Sequence, residues 1–294
     1  MTAAAGAGRR YLVALGVVAA WIVAGICFRL SADAYLLLGV PLLVAFQLGV
    51  ARRPIDELWF KAPGRVPLPG WAWLAGAAAM ATPLYYLIHG WSALGWITRG
   101  WMLCAVAGAI PLARSLPRIS RATIRPLLLC FGTAGALGVT FMLGTALLHH
   151  QLAPRPPALS GWSHSPWFVA GRSFLLYVPV CFVLEEVFFR GGLDSYLDQP
   201  GKTHPWLSAA FVSVLWGLWH VPSVVARIPS LPPGVANPVV VFVILLGAVL
   251  MLPLIHGVIG IPLSLCWRRS GLLFVPALVH AFIDAVRNGL LAWH

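Results

Sequence analysis

Apolar runs of membrane length recur along the whole chain, and they decide what it can fold into. Residues 11–29 form the first run, directly after Arg9-Arg10, and 34–50 form the second. Further runs cover about 69–90, 95–113, 126–148, 167–190, 205–221, 239–259 and 271–293. A bilayer core about 30 Å thick needs roughly 20 apolar residues per helix. In lipid every backbone polar group must be satisfied internally, so helices are the natural solution for such runs. Eight or nine spans in an all-α polytopic transmembrane bundle are therefore expected. Only 10% of the residues are charged and the mean hydropathy is +0.86. A soluble domain carries about 25% charged residues.

The formal charge of +12 comes from 20 basic and 8 acidic residues. On a soluble protein it would suggest nucleic acid, but here it excludes that partner. The basic residues cluster in short loops, at Arg52-Arg53, Lys61-Arg65, Arg114–Arg125 and Arg268-Arg269. With the N-terminus inside and 69–90 crossing, 14 of the 20 fall in inner loops. That asymmetry is the positive-inside signature. It predicts a multi-pass cell-membrane protein with a cytoplasmic N-terminus. The Pro-rich stretch 149–166 and residues 228–238 read as loops on the other side. Pro83 should interrupt the third run, and Ile55–Phe60 should form an interfacial segment. Five cysteines lie in apolar surroundings without a CxxC pair, which argues for buried small residues rather than a disulfide framework.

Few residues inside these runs can carry proton chemistry: Glu185 and Glu186, His220, and His280 with Asp284. His89 and His256 fall near the ends of their spans. A charge at the bilayer centre costs about 2.5–3.5 kcal/mol on insertion scales, so two adjacent glutamates mark a functional site. On a regular helix Glu186 and Arg190 are at i and i+4 and share a face. Glu185 has Phe189 at that spacing and is turned about 100° away, free to face a cavity. This divides the pair into Glu185 as a general base and Glu186 as a carboxylate held by Arg190. For Glu185 to lie at depth, the sixth helix should continue through Gly191-Gly192 to about Leu197. His280 and Asp284 share a helix face in the same way. Asp284 either orients His280 or projects beside it into a common cavity.

Other schemes find less support. Ser213 and Ser264 lack a nucleophile-elbow context, and no HExxH or phosphate loop is present. Glutamate, histidine and aspartate at 185, 220, 280 and 284 could together hold a divalent metal.

The order of these elements resembles the CAAX protease and bacteriocin-processing (CPBP) family of intramembrane glutamic endopeptidases, which includes the type II CAAX prenyl endopeptidases. The family pattern EExxxR reads Glu185–Arg190. FxxxH reads Trp216–His220, with Trp216 in the Phe position. HxxxN/D reads His280–Asp284. Residues 269–272 are similar to the family segment preceding the last motif. The resemblance covers about 167–293, so the chain divides into N-terminal helices over 1–166 and a catalytic core over 167–294. It implies that Glu185 and His220 activate a water, that His280 and Asp284 hold the oxyanion, and that Glu186, Arg190 and Trp216 support them. No cofactor is required by that mechanism. Its substrates would be peptides or membrane-associated proteins. Frequent Ala and Arg with scarce Lys suggests a GC-rich bacterial genome, where prenylated substrates are not expected. Two other readings fit the same residues: a non-catalytic immunity or regulatory protein, and a proton-coupled transporter. No internal repeat supports the transporter.

Overall fold

The computed structural model describes residues 3–61, 67–152, 165–199, 201, 204–230 and 237–292. Most of the predicted loop at 149–166, including Arg155 and His164, lies outside these residues. So do Arg65, Lys202 and most of the loop at 228–238. The described residues are overwhelmingly helical and contain no strand. Eight helices are long and apolar enough to cross a membrane. These are α1 (Gly6–Cys27), α2 (Ala32–Ala51), α5 (Trp96–Arg118), α6 (Arg121–Leu147), α7 (Pro166–Leu197), α8 (Pro205–Val225, turning at His220), α9 (Pro238–Ser270) and α10 (Phe274–Ala292). Two shorter helices complete the set, α3 (Gly70–Ala79) and α4 (Ala81–His89).

The third apolar run is thus broken, but at Met80 rather than at Pro83. Pro83 is the third residue of α4, where a helix needs no N–H. Its ring instead displaces the carbonyl four residues earlier, and the helix breaks just past that point. Hydrogen bonding continues through the break. Met80 N–H donates to the Gly76 carbonyl at 3.2 Å, and Leu84 N–H to the Met80 carbonyl at 3.2 Å.

Two other boundaries depart from the sequence reading. The predicted basic loop at Arg268-Arg269 is the last turn of α9, which runs for 33 residues and keeps Pro253 and Pro262 inside it. It ends at Gly271, whose φ of +65° reverses the chain at little steric cost. In the segment expected at the interface, 55–60, Ile55–Leu58 form a short 3-10 turn, and Leu58 and Phe60 are buried. The Arg118 guanidinium lies 4.3 Å from the Phe60 ring centre. Lys61 N–H donates to the Gly271 carbonyl at 3.0 Å, and Leu273 N–H to the Trp59 carbonyl at 3.1 Å. The expected extension of the sixth helix to Leu197 is present in α7, which spans 32 residues.

The chain forms two compact units. One comprises Met1–Ile55 and Phe188–Leu265. Its centre is an aromatic cluster in which the buried Trp21 meets Tyr35, Phe188 and Trp219 at ring-centre distances of 5.4, 4.7 and 5.2 Å. Gly39 lies under Trp21, and a side chain there would run into the indole. Trp21 Nε1 donates to the Tyr35 carbonyl at 2.9 Å, and Tyr35 OH to the Trp219 carbonyl at 3.0 Å. The other unit comprises Asp56–Val187 and Cys266–His294. Its core is the pairing of the first half of α7 with α10, and α6 packs on α10 as well. A Cβ on Gly138 of α6 would come within 2.6 Å of Ile283, so only glycine allows α6 this close to α10.

Candidate active site

The diglutamate sits where α7 is not a regular helix. Cys181–Glu185 and Val187–Asp194 are wound as π-helix on either side of Glu186. Pro179 lacks the N–H that would continue the α-helical ladder just before the first of these. Glu186 N–H donates to the Cys181 carbonyl, five residues back. The Phe182 carbonyl, relieved of that α-helical donor, accepts from Trp59 Nε1 at 3.1 Å. Such wide turns are rare and tend to occur at functional sites.

His280 faces this turn from α10. Its Nδ1 is 2.9 Å from Glu186 Oε1, with both side chains buried. Nε2 is 3.8 Å from Glu185 Oε2 and 3.6 Å from Asp284 Oδ2. The second unit thus brings together Glu185, Glu186, His280 and Asp284, all of which the sequence singles out. The sequence reading did not give Glu186 a histidine partner, because the pairing argument assumed regular α-helical register across residues 185–190.

Asp284 has a second partner that sequence reasoning missed. Its Oδ1 lies 3.1 Å from Arg287 Nη1, and Arg287 Nη2 donates to Tyr177 OH at 3.4 Å. Asn288 Nδ2 adds a 3.3 Å bond to Ser173 Oγ between α10 and α7. The available signal was the i, i+3 spacing of Asp284 and Arg287. Asp284 thus lies between His280 and Arg287. Cys181 completes the cluster: its sulfur, a ring nitrogen of His280 and a carboxylate oxygen of Asp284 lie within 4.8 Å of one another. Among the described residues these three form a group whose donor atoms could hold a metal ion.

The first unit holds His220, at the turn ending the first part of α8. Its Nδ1 is 2.9 Å from the Trp216 carbonyl. A carbonyl only accepts, so Nδ1 carries the hydrogen, and a neutral ring presents Nε2 as an acceptor. Trp216 stacks under Arg190, whose guanidinium carbon is 4.4 Å from the ring centre. Arg190 is wholly buried and donates to the Gly260 carbonyl at 3.4 Å. His256 lies beside His220, with ring centres 4.2 Å apart, and its Nδ1 is 2.8 Å from the Leu252 carbonyl. The sequence reading put His256 near a span end; the greater length of α9 places it in mid-helix.

Residues 166–286 match the family model for type II CAAX prenyl endopeptidase Rce1-like proteins. The match covers 121 of the 294 residues and is consistent with a CPBP-family protein. No curated protein and no solved structure matches the chain. The Rce1-like match contains all three motif segments, from Glu185 to Asp284. At family level the Rce1-like domain is that of a membrane endopeptidase acting on peptide or protein substrates.

Proposed function

We propose that the protein is an intramembrane endopeptidase that cleaves peptide or membrane-associated protein substrates with a glutamate-activated water and no metal. The observation that carries this reading is the convergence of Glu185, Glu186 and Asp284 on His280 within a segment that matches a protease family. Three buried carboxylates around one imidazole are far too costly for a packing role alone.

In this reading Glu185 removes a proton from water, a step to which the family resemblance also assigns His220. The hydroxide attacks the scissile carbonyl carbon. A protonated His280 donates Nε2–H to the resulting oxyanion, and Glu186 and Asp284 stabilise the imidazolium on either side. Glu185 then returns its proton to the amide nitrogen as the C–N bond breaks, leaving a carboxylic acid and a free amine. The proton balance closes without an outside acid.

The experiment is comparative peptidomics of the native host, backed by cleavage assays on purified wild type, Glu185→Ala and His220→Ala. Both variants should lose activity by at least about 10²-fold, the lower range for general acid–base groups. Equal cleavage by all three would sink the proposal. One observation favours a second reading, that of a non-catalytic membrane partner: Asp284 is tied to Arg287 and cannot donate to an oxyanion. That reading predicts that cellular function survives Glu185→Ala in a folded protein.

A further inference from the structure

Two helices each offer two donor groups one turn apart. Cys181 and Glu185 lie on α7, and His280 and Asp284 on α10. All four are buried, Cys181 completely. The proposed peptidase chemistry has no use for the thiol, although it stands against both the imidazole and the Asp284 carboxylate.

Cys181, His280 and Asp284 suit a thiophilic divalent ion, offering one sulfur, one imidazole and one carboxylate within 4.8 Å of one another. The spacing agrees. Zinc bond lengths of about 2.0–2.3 Å in tetrahedral geometry put neighbouring donors roughly 3.3–3.6 Å apart. His280 Nε2 lies 3.6 Å from Asp284 Oδ2 and 3.8 Å from Glu185 Oε2. The outer contacts agree as well. A metal-bound histidine donates its other N–H to a carboxylate, and a bound carboxylate is itself held by a donor. His280 Nδ1 meets Glu186 Oε1 at 2.9 Å, and Arg287 holds the second oxygen of Asp284 at 3.1 Å. Bundles commonly build metal sites this way, from facing helices.

We propose that Cys181, His280 and Asp284 bind a thiophilic divalent cation of the zinc class beside Glu185, and that this ion shuts off hydrolysis. Binding releases the thiol proton and the second imidazolium proton to solvent and places a thiolate, a neutral imidazole and a carboxylate on the ion. It thereby removes the imidazolium donor. The inhibition rests on the peptidase reading; the binding does not.

The test titrates the purified full-length protein in detergent with cadmium(II) and follows the ultraviolet thiolate-to-cadmium charge-transfer band. Wild type should develop the band to saturation at one equivalent, and zinc should displace it. Cys181→Ser should abolish it, whereas Cys130→Ser/Cys266→Ser should keep it. Asp284→Asn should retain the band but weaken binding by tenfold or more, which tests the site even where Cys181→Ser folds poorly. A wild type without the band, or one surviving in Cys181→Ser, overturns the site. Zinc should also abolish cleavage, and a chelator should restore it. A saturated site with undiminished cleavage leaves the binding intact and overturns the His280 imidazolium as the oxyanion donor.

Discussion

Asp284 occupies the position where an amide would let the side chain donate, and its neighbours explain how a carboxylate serves. With Arg287 on one oxygen and His280 near the other, it is held between two nitrogen partners. Asp284→Asn should therefore lower kcat about tenfold or more with little change in KM, the pattern of a group that acts in the transition state. Steady-state kinetics on one cleaved peptide decides this; an unchanged kcat would mean that an amide is sufficient there. Trp216 was expected to preserve packing in place of Phe. It does more, because its ring lies under the buried Arg190 guanidinium. Trp216→Phe should cost about 1–2 kcal/mol, since indole is the strongest cation–π partner and the pair is desolvated. The thermal midpoint in detergent reads that loss. Glu185, Glu186, His280 and Asp284, which lie together in the structure, were all singled out in the sequence. Their pairings were less legible: His280 with Glu186 depends on contact between α7 and α10, which no local pattern encodes.

At the scale of elements, the π turn is the feature the sequence concealed. Hydrophobic periodicity cannot reveal a single widened turn in a helix that is apolar nearly all round. Trp59, far away in sequence, supplies the N–H that the Phe182 carbonyl accepts. Trp59→Phe keeps the ring and removes only that donor. It should cost about 1 kcal/mol of stability, the usual net worth of a hydrogen bond. Activity should fall further than stability, because the same turn carries Glu185. Cleavage rate compared at equal folded fraction checks this; a rate loss no larger than the unfolding would remove Trp59 from any positioning role. The sequence reading ended the span at about 259, yet α9 continues to Ser270 through Pro253 and Pro262. Neighbouring helices commonly rescue freed backbone groups in membranes.

For the whole molecule, charge and backbone together argue for nine crossings. Eight helices qualify by length and composition. With eight alone, however, Arg114–Arg125 and Arg268-Arg269 would fall on the side opposite Arg52-Arg53. If 70–89 also crosses, as one kinked helix carried through Met80, all these clusters share the cytoplasmic side. A reporter fused after His294 should then be extracytoplasmic and one fused before Met1 cytoplasmic; both on one side would restore eight. The first two spans match no motif in the sequence, but their place is plain in the structure. Trp21 and Tyr35 close the aromatic cluster against Trp219, the residue before His220.

The flank of α9 bears on the lipid. Its exposed apolar residues run from Val239 to Val258, and burial begins at Ile259 and Gly260. At 1.5 Å per residue the exposed stretch is about 30 Å long, the thickness of an ordinary hydrocarbon core. Little tilt is needed to cover it, and residues 259–268 beyond it are buried or half-buried. Mismatch costs a fraction of a kcal/mol per Å in either direction. In vesicles of graded acyl-chain length, the protein's thermal midpoint should therefore peak near that thickness and fall in both thinner and thicker bilayers.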